Sequence, residues 1–242
     1  MNAVQKLAKQ LVEERNHKYK NGIYCFTQVE MAYNSNRIEG SKLKKEHTES
    51  LFSTKTILVQ KDDVIKSDDI IETTNHFRAF DYLLDTLSDV LSEAMIKEFH
   101  RILKTNTSDA DIEWFNVGEY KKVPNMVGGM ETTPPKEVAN AVRSLLKEYN
   151  SIEKHSFDDV LDFHVKFEKI HPFRDGNGRV GRLIMFKECL RNDIVPFIND
   201  ANHKEYYYRG LREYFSEKGY LRDTCLSAQD KYKAYCERYV KT

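Results

Sequence analysis

The sequence predicts an all-α, mainly helical protein that carries one short β-hairpin. Only 10 Gly and 5 Pro interrupt the 242 residues, and so few chain breakers favour long helices over many short strands. Apolar residues also recur at the i, i+3, i+4, i+7 spacing of a helix that buries one stripe. Four such stripes are Val4, Leu7 and Leu11; Phe77, Phe80, Leu84 and Leu87; Val142, Leu145, Leu146 and Tyr149; and Phe163, Phe167 and Ile170.

Composition excludes several classes of function. Lys plus Arg and Asp plus Glu both number 38, so the formal net charge is zero. A protein held on nucleic acid by bulk attraction needs a net basic surface. The longest uninterrupted aliphatic and aromatic run, residues 183–186, is far shorter than the ~20 residues of a spanning helix. Residues 1–6 lead into an amphipathic stretch and not into the apolar core of a secretory signal. We therefore expect a cytoplasmic protein with no nucleic-acid or membrane partner.

The cysteines give no sign of a metal site. Cys25, Cys189, Cys225 and Cys236 are scattered, without a C-x-x-C pair or a spacing suited to zinc. Without a secretory sequence, we expect buried, reduced thiols.

The hairpin is predicted in residues 118–135, which read GEYKKVPNMVGGMETTPP. This segment interrupts the helical pattern with three Gly and three Pro. A turn at Gly128 and Gly129 between β-favouring residues is typical of a hairpin. A lone hairpin is marginally stable, so we expect it to lean on the helices or on a partner strand.

The most informative segment is residues 171–182, HPFRDGNGRVGR. A helix from about Phe157 to Ile170 should end at His171, because a residue before proline is pushed out of the α region. The next helix should begin near Gly178. Gly176 and Gly178 let a ligand approach the backbone closely, and a glycine-rich turn at a helix N-terminus is a ready anion site.

The charges around this turn favour a phosphate ligand. Residues 166–191 hold seven Lys or Arg and three Asp or Glu, an excess of 7 − 3 = +4. Arg179 and Arg182 lie near the start of a helix, where a cation is disfavoured by ~0.3–1 kcal/mol, and a polyphosphate would compensate for this. Asp175 could hold a hard divalent cation, and His171 could act as a general base. Taken singly, the same residues could be a helix cap, surface ion pairs or a solvated histidine.

The segment matches the signature H-x-F-x-(D/E)-G-N-G-R-x-x-R and therefore resembles the Fic domain, over about residues 70–215. The resemblance implies the Fic helical bundle. It also implies a protein adenylyltransferase that uses ATP and Mg²⁺ or Mn²⁺ to move AMP onto a Tyr, Thr or Ser hydroxyl. The acceptor would be a target protein or the chain itself. Residues 1–69 would be an N-terminal helical region carrying an inhibitory motif, and residues 216–242 a C-terminal helical tail packed on the core.

The resemblance also implies roles for single residues. His171 would deprotonate the target hydroxyl, Asp175 would bind the metal ion, and Phe173 would anchor the loop in the core. The hairpin would be a flap that binds the target by strand addition, although Lys121 and Lys122 stand where relatives often carry an arginine. The nucleotide-binding residues would be Asp175, Gly176, Asn177, Gly178, Arg179, Val180, Gly181 and Arg182 in the loop and helix, Val127, Gly128, Gly129 and Met130 in the flap, and Tyr207 and Tyr208 near the adenine.

A second misplaced charge lies in residues 35–40, SNRIEG. A helix from about Gly22 should end here with Gly40 as its C-terminal cap, which puts the anion Glu39 at the helix end that favours cations. The segment resembles the Fic inhibitory motif (S/T)-x-x-x-E-(G/N). That resemblance implies an inhibitory role for Ser35, Glu39 and Gly40, with Glu39 paired to Arg182.

Several alternatives stay open at this stage. Some Fic relatives phosphorylate their targets or transfer phosphocholine, and some remove AMP from a modified target. His164, Glu168 and His171 share one helix face and could instead form a metal site. A Fic-fold toxin partner or binding module without activity is a further alternative. The target protein and the oligomeric state do not follow from the sequence, and an oligomer is compatible with it.

Overall fold

The computed structural model describes residues 1–61 and 64–240, and these ranges contain ten α-helices and one β-hairpin. The elements in chain order are α1 (Ala3–Asn16), α2 (Ile23–Ile38), α3 (Lys45–Ser53), α4 (Ser67–Asp85), α5 (Glu93–Lys104), β1 (Met126–Val127), β2 (Met130–Glu131), α6 (Pro135–Asn150), α7 (Phe157–Ile170), α8 (Asn177–Arg191), α9 (Lys204–Glu213) and α10 (Gly219–Tyr239). Short 3-10 helices span Ser108–Asp111 and Ala201–His203. The predicted all-α class with one hairpin is confirmed.

Local sequence signals set the bounds of the helix that leads into the site. Ser156 caps α7 by accepting a hydrogen bond from the Asp159 N–H, and the Asp159 side chain accepts from the Ser156 N–H in return. This capping box satisfies N–H groups that the first helical turn leaves open. The helix ends at Ile170, immediately before His171.

Helix α8 lies at the centre of the molecule. Thirteen of its 15 residues are buried, and it packs against α7, α4, α5 and α2. Val180 and Leu183 are 0% exposed within the main hydrophobic cluster. A helix buried on all sides is fixed by its neighbours, so the loop at its N-terminus has a rigid support.

The two terminal regions join the same core. Val4, Leu7 and Leu11 of α1 and Tyr232 of α10 belong to the hydrophobic cluster that also contains Leu183 of α8. The division at residues 69 and 215 stays a prediction, and residues 62–63 and 241–242 within it lie outside the described residues.

The hairpin turns at the two glycines, as predicted. Val127 pairs with Met130 in antiparallel register, and Gly128 and Gly129 have φ of 57° and 81°. Both central residues of a type I′ turn need positive φ, which glycine adopts without steric cost. Along the part of the chain that the structure describes, no helix is both long and apolar enough to span a bilayer, and the four cysteines are free thiols.

Candidate active site

The backbone adopts a left-handed conformation at both ends of the loop between α7 and α8. His171 follows α7 with φ of 50°, and Gly176 precedes α8 with φ of 78°. A histidine seldom adopts this left-handed conformation, so the fold around it must hold it there. The predicted end of α7 at His171 is confirmed, and α8 begins at Asn177, one residue before the predicted position.

Asn177 closes this loop from the inside. Its Oδ1 accepts a hydrogen bond from the Phe173 N–H at 2.8 Å, and its Nδ2 donates to the Phe173 carbonyl at 2.9 Å. The Phe173 ring is 0% exposed and stacks on His100 of α5 with 3.9 Å between ring centroids. Phe173 therefore anchors the loop as predicted. The side-chain role of Asn177 was not predicted, because no local sequence pattern marks it.

His171 is neutral at physiological pH. Burial and the nearby Lys121 ammonium lower its pKa to about 4. Its Nδ1 lies 3.4 Å from the Glu168 carbonyl oxygen, which can only accept. Nδ1 therefore carries the ring proton, and Nε2 is the nitrogen left to take up a proton.

Arg182 is paired with the end of α2. Its Nη2 lies 2.6 Å from Glu39 Oε1, and its Nε and Nη2 donate to the Ser35 Oγ and carbonyl oxygen at 3.0 Å each. The arginine is 4% exposed. Burial lowers the pKa of Arg182, but Glu39 more than offsets this and the net pKa is raised. A buried arginine is thus held by a motif 143 residues away along the chain.

Gly178 leaves room for the Glu39 carboxylate. A Cβ at this position would collide with Glu39 Oε1 and would approach Arg182 Nη1 to 2.9 Å. Glu39 therefore lies against the first turn of α8, beside Gly178. The carboxylate occupies the region where the sequence predicts an anion.

A second ionic network holds Arg179 and Asp175. Arg179 Nη2 lies 3.0 Å from Asp175 Oδ2, and Arg179 Nη1 lies 2.5 Å from Glu72 Oε2 on α4. Lys104 at the end of α5 places its Nζ 2.8 Å from Asp175, 2.6 Å from Glu72 and 2.8 Å from Asp109. Lys104 and Glu72 could not be predicted from the sequence, since nothing in their local patterns marks them.

Asp175 is ionised and accessible. Burial raises its pKa, but Arg179 and Lys104 more than offset this and the net pKa lies below the usual range. Its side chain is 47% exposed, which suits a divalent cation that takes one protein carboxylate and completes its shell with phosphate and water. Over residues 1–61 and 64–240, no group of three His, Cys, Asp or Glu could hold a metal ion. The alternative site at His164, Glu168 and His171 has no such support.

Comparison with known families finds a match for this region. Residues 90–189, which include the hairpin, the loop and most of α8, match the model of the Fic/DOC family. This part of the chain is similar to the Fic domain. The match lies inside the predicted core of residues 70–215.

Curated relatives of the Fic domain are named as adenylyltransferases. A probable protein adenylyltransferase of Aquifex aeolicus is 29% identical over 214 residues, which cover 81% of this chain and 59% of the relative. The protein adenylyltransferase Fic of Aedes aegypti is 25% identical over 187 residues, covering 76% and 36%. The chain thus spans little more than half of one relative and about a third of the other.

Solved structures share the fold. A Fic domain containing signalling protein from Bacteroides thetaiotaomicron superimposes with a TM-score of 0.71 at 22% identity, covering 96% of this chain and 91% of that one. Fic-1 from C. elegans superimposes with a TM-score of 0.73 at 18% identity, covering 97% and 72%. These similarities show that solved structures share the fold over nearly the whole chain, and not only over residues 90–189.

Two residues of the predicted nucleotide set face the core of the Fic domain. Val180 is 0% exposed, and its N–H donates to the Gly176 carbonyl. A Cβ on Gly181 would come within 2.7 Å of His164 and 2.8 Å of Glu168, so its missing side chain permits close packing of α8 on α7. The first-turn amides left for a ligand are those of Asn177, Gly178 and Arg179.

Lys121 connects the base of the flap to the loop between α7 and α8. Its buried Nζ donates to Asn125 Oδ1 at 2.7 Å and Thr132 Oγ1 at 2.6 Å, and its N–H donates to the Pro172 carbonyl at 2.9 Å. Burial and Arg174 lower its pKa to about 8. Val127 at the flap tip is exposed, beside Gly128 and Gly129. The flap therefore leans on the loop, as the marginal stability of a lone hairpin requires.

The two predicted adenine tyrosines have different surroundings. Tyr207 is 1% exposed, and its hydroxyl lies 2.5 Å from His164 Nε2, with the Arg182 guanidinium 5.9 Å from its ring. Tyr208 is 37% exposed and donates to the Ile38 carbonyl at 3.0 Å. Tyr208 has the more accessible ring, and it also holds the end of α2 near Glu39. A direct adenine contact stays a prediction for both.

Proposed function

We propose that this protein is an adenylyltransferase that transfers AMP from ATP to a Tyr, Thr or Ser hydroxyl of a target protein or of itself. The observation that carries the proposal is one rigid loop that presents a neutral histidine beside a glycine-rich helix N-terminus with two buried arginines. The adenylyltransferase names of the relatives support the same reaction.

The proposed reaction moves one proton and exchanges one phosphorus–oxygen bond. His171 Nε2 accepts the proton of the target hydroxyl, whose oxygen forms a bond to the α-phosphorus of ATP. The bond from that phosphorus to the bridging oxygen breaks, and pyrophosphate leaves. The N–H groups of Asn177 and Gly178 receive phosphate oxygens, and Arg179 stabilises the charge that develops on them. Positioning and charge neutralisation supply most of the acceleration in such transfers.

Asp175 is the residue that would hold Mg²⁺ or Mn²⁺. Such an ion would supply positive charge to the phosphate groups of ATP. The chain's own contribution is to keep this carboxylate ionised and oriented, which the contacts of Asp175 with Lys104 and Arg179 support.

The proposed regulation is autoinhibition by Glu39. Its carboxylate pairs with Arg182, one of the residues that the family resemblance assigns to nucleotide binding. Glu39 lies between Arg182 and Gly178, so a phosphate that approached this guanidinium would meet the negative charge of the carboxylate at close range. ATP would therefore bind in a productive position only after Glu39 leaves. Ser35 and Gly40 support this arrangement, since Ser35 binds Arg182 and Gly40 ends the helix with φ of 100°.

The structure of the flap supports the proposal that the acceptor is a protein. The exposed backbone of β1 is short and unpaired on its outer edge, which suits addition of an extended target segment. Strand addition binds a target mainly through hydrogen bonds to its main chain. We therefore expect only a few side chains of the target to determine which protein is bound.

Labelled ATP tests the transfer. The Glu39→Gly protein is incubated with ATP carrying the label at either the α or the γ position. AMP transfer leaves only the α label on protein, and Glu39→Gly/His171→Ala, which lacks the base, should incorporate neither. Retention of the γ label alone would replace the proposal by a phosphorylating reaction, and retention of neither label by the Glu39→Gly protein would overturn it.

A further inference from the structure

We propose that Lys104 and Glu72 are positioning residues that hold Asp175 and Arg179 in the arrangement a metal–nucleotide complex requires. This inference rests on the proposed function, but it concerns binding and can be tested without turnover. Neither residue belongs to the catalytic loop or to the inhibitory motif.

The four side chains form a closed ring of alternating charge. Asp175 Oδ2 receives Lys104 Nζ at 2.8 Å and Arg179 Nη2 at 3.0 Å. Glu72 closes the ring from the opposite side, with Oε1 at 2.6 Å from Lys104 and Oε2 at 2.5 Å from Arg179. Every charge in the ring therefore has two oppositely charged neighbours.

The ring is buried on its cationic side. Lys104 and Arg179 are both 2% exposed, whereas the Asp175 side chain is 47% exposed. Asp109 adds a third carboxylate at 2.8 Å from Lys104. The two cations are therefore fixed in the protein, while Asp175 reaches from them toward the solvent side, where a ligand would approach.

Lys104 shares with Arg179 the negative charge of Asp175 and Glu72, since each carboxylate contacts both cations. Without the Lys104 ammonium, Arg179 would be the remaining cation in the ring. Less of its positive field would then reach a phosphate. Asp175 would also turn fully toward Arg179 and away from a bound ion. Lys104 thus acts through Asp175 and Arg179, without contact to the nucleotide.

Glu72 has the complementary role. It holds Lys104 and Arg179 apart at fixed positions, since its two oxygens each bind one of them. Partners that orient the groups around a metal ion typically change affinity about 10–100-fold when they are removed.

Charge-changing variants distinguish the proposed positioning role from bulk attraction, which is the general effect of the protein's net charge on ATP binding. Calorimetry measures the Kd of ATP with Mg²⁺ on full-length protein in the Glu39→Gly background. Lys104→Met removes a positive charge, and both positioning and bulk attraction predict weaker binding. Glu72→Gln keeps the side-chain shape and adds net positive charge, so bulk attraction predicts tighter binding. Positioning predicts that Glu72→Gln also weakens binding, by about tenfold.

The double variant Lys104→Met/Glu72→Gln provides a second test of the positioning role. It restores the original net charge, so bulk attraction predicts the parent's affinity, whereas positioning predicts a Kd at least about tenfold higher. Lys187→Met is the matched control, because Lys187 is a fully buried lysine paired with Glu188 on the distant part of α8. It should leave the Kd within about twofold of the parent.

The outcomes distinguish the two proposals. Unchanged or tighter binding by folded Glu72→Gln, or parental affinity in the double variant, overturns the positioning role. If the parent binds ATP with Mg²⁺ and transfers no AMP, the proposed reaction fails while the positioning role can still be confirmed. If the parent binds no ATP, both are wrong. Thermal melting checks folding, and Glu72→Gln, which changes no shape, keeps the test decisive if Lys104→Met does not fold.

Discussion

At the scale of single residues, the site depends on a histidine kept neutral by its surroundings. Burial and the Lys121 ammonium depress the pKa of His171 to about 4. The left-handed backbone at His171 places the ring beside the Glu168 carbonyl, which fixes the proton on Nδ1. A base with this pKa is unprotonated at neutral pH, which is the form that can accept a proton from a hydroxyl.

The pH dependence of the reaction follows from this pKa. A general base must be neutral, so the rate of the Glu39→Gly protein should stay level from about pH 7 down to about pH 5. It should fall only as the pH approaches the value of about 4 at which His171 is protonated. Initial rates of AMP incorporation, with circular dichroism at each pH as the folding control, measure this. A decline centred near the ordinary histidine value of about 6.5 would contradict the burial argument.

Gly178 gives a second test at this scale. A Cβ there would displace Glu39 from Arg182, so Gly178→Ala should lower the free energy of unfolding by roughly 0.5–3 kcal/mol. In the Glu39→Gly background the carboxylate is absent, and only the flexible end of Arg182 has to shift. The same substitution should then be neutral, or stabilise α8 by up to about 1 kcal/mol through helix propensity. Chemical denaturation of the four proteins measures the cycle, and equal effects in both backgrounds would show that Gly178 and Glu39 do not interact.

At the scale of elements, the flap is a short hairpin whose base is held by Lys121, Asn125 and Arg174. Its strands have two residues each, too few for independent stability. Lys121 fastens both arms by binding Asn125 on one side and Thr132 on the other. The order of the flap therefore depends on contacts at its base.

Loss of the lysine should release the flap and leave the helices unchanged. In Lys121→Met, the amides of residues 123–132 should exchange hydrogen at least about tenfold faster, since local opening requires only local contacts to break. The amides of α8 should keep their protection. Lys122→Met is the matched control, because Lys122 is the exposed neighbour. Equal exchange in the two variants would contradict the fastening role of Lys121.

At the scale of the whole molecule, the sequence predicts what local signals determine. The capping box at Ser156 and the proline after His171 set both ends of α7, and the glycine pair sets the hairpin turn. The helix class follows from apolar periodicity, because each stripe is local. These features need no knowledge of which helices meet.

The rest depends on contacts between distant segments. Lys104 and Glu72 are 71 and 103 residues from Asp175 (175 − 104 and 175 − 72), and each looks like an ordinary charge on an amphipathic helix. In the run Tyr206–Tyr207–Tyr208, only packing decides that Tyr207 is buried and Tyr208 half-exposed. The pair of Glu39 with Arg182 was predicted through a family resemblance, since no local pattern joins the two positions.

The most direct test of the central claim compares initial rates of AMP transfer by wild-type and Glu39→Gly proteins at equal concentration of ATP and Mg²⁺. Release of Arg182 from Glu39 should raise the rate about 5–150-fold, the range of a coupling free energy of about 1–3 kcal/mol. Equal rates in two folded proteins would contradict the account, because they would show that the ion pair between α2 and α8 does not restrain the site.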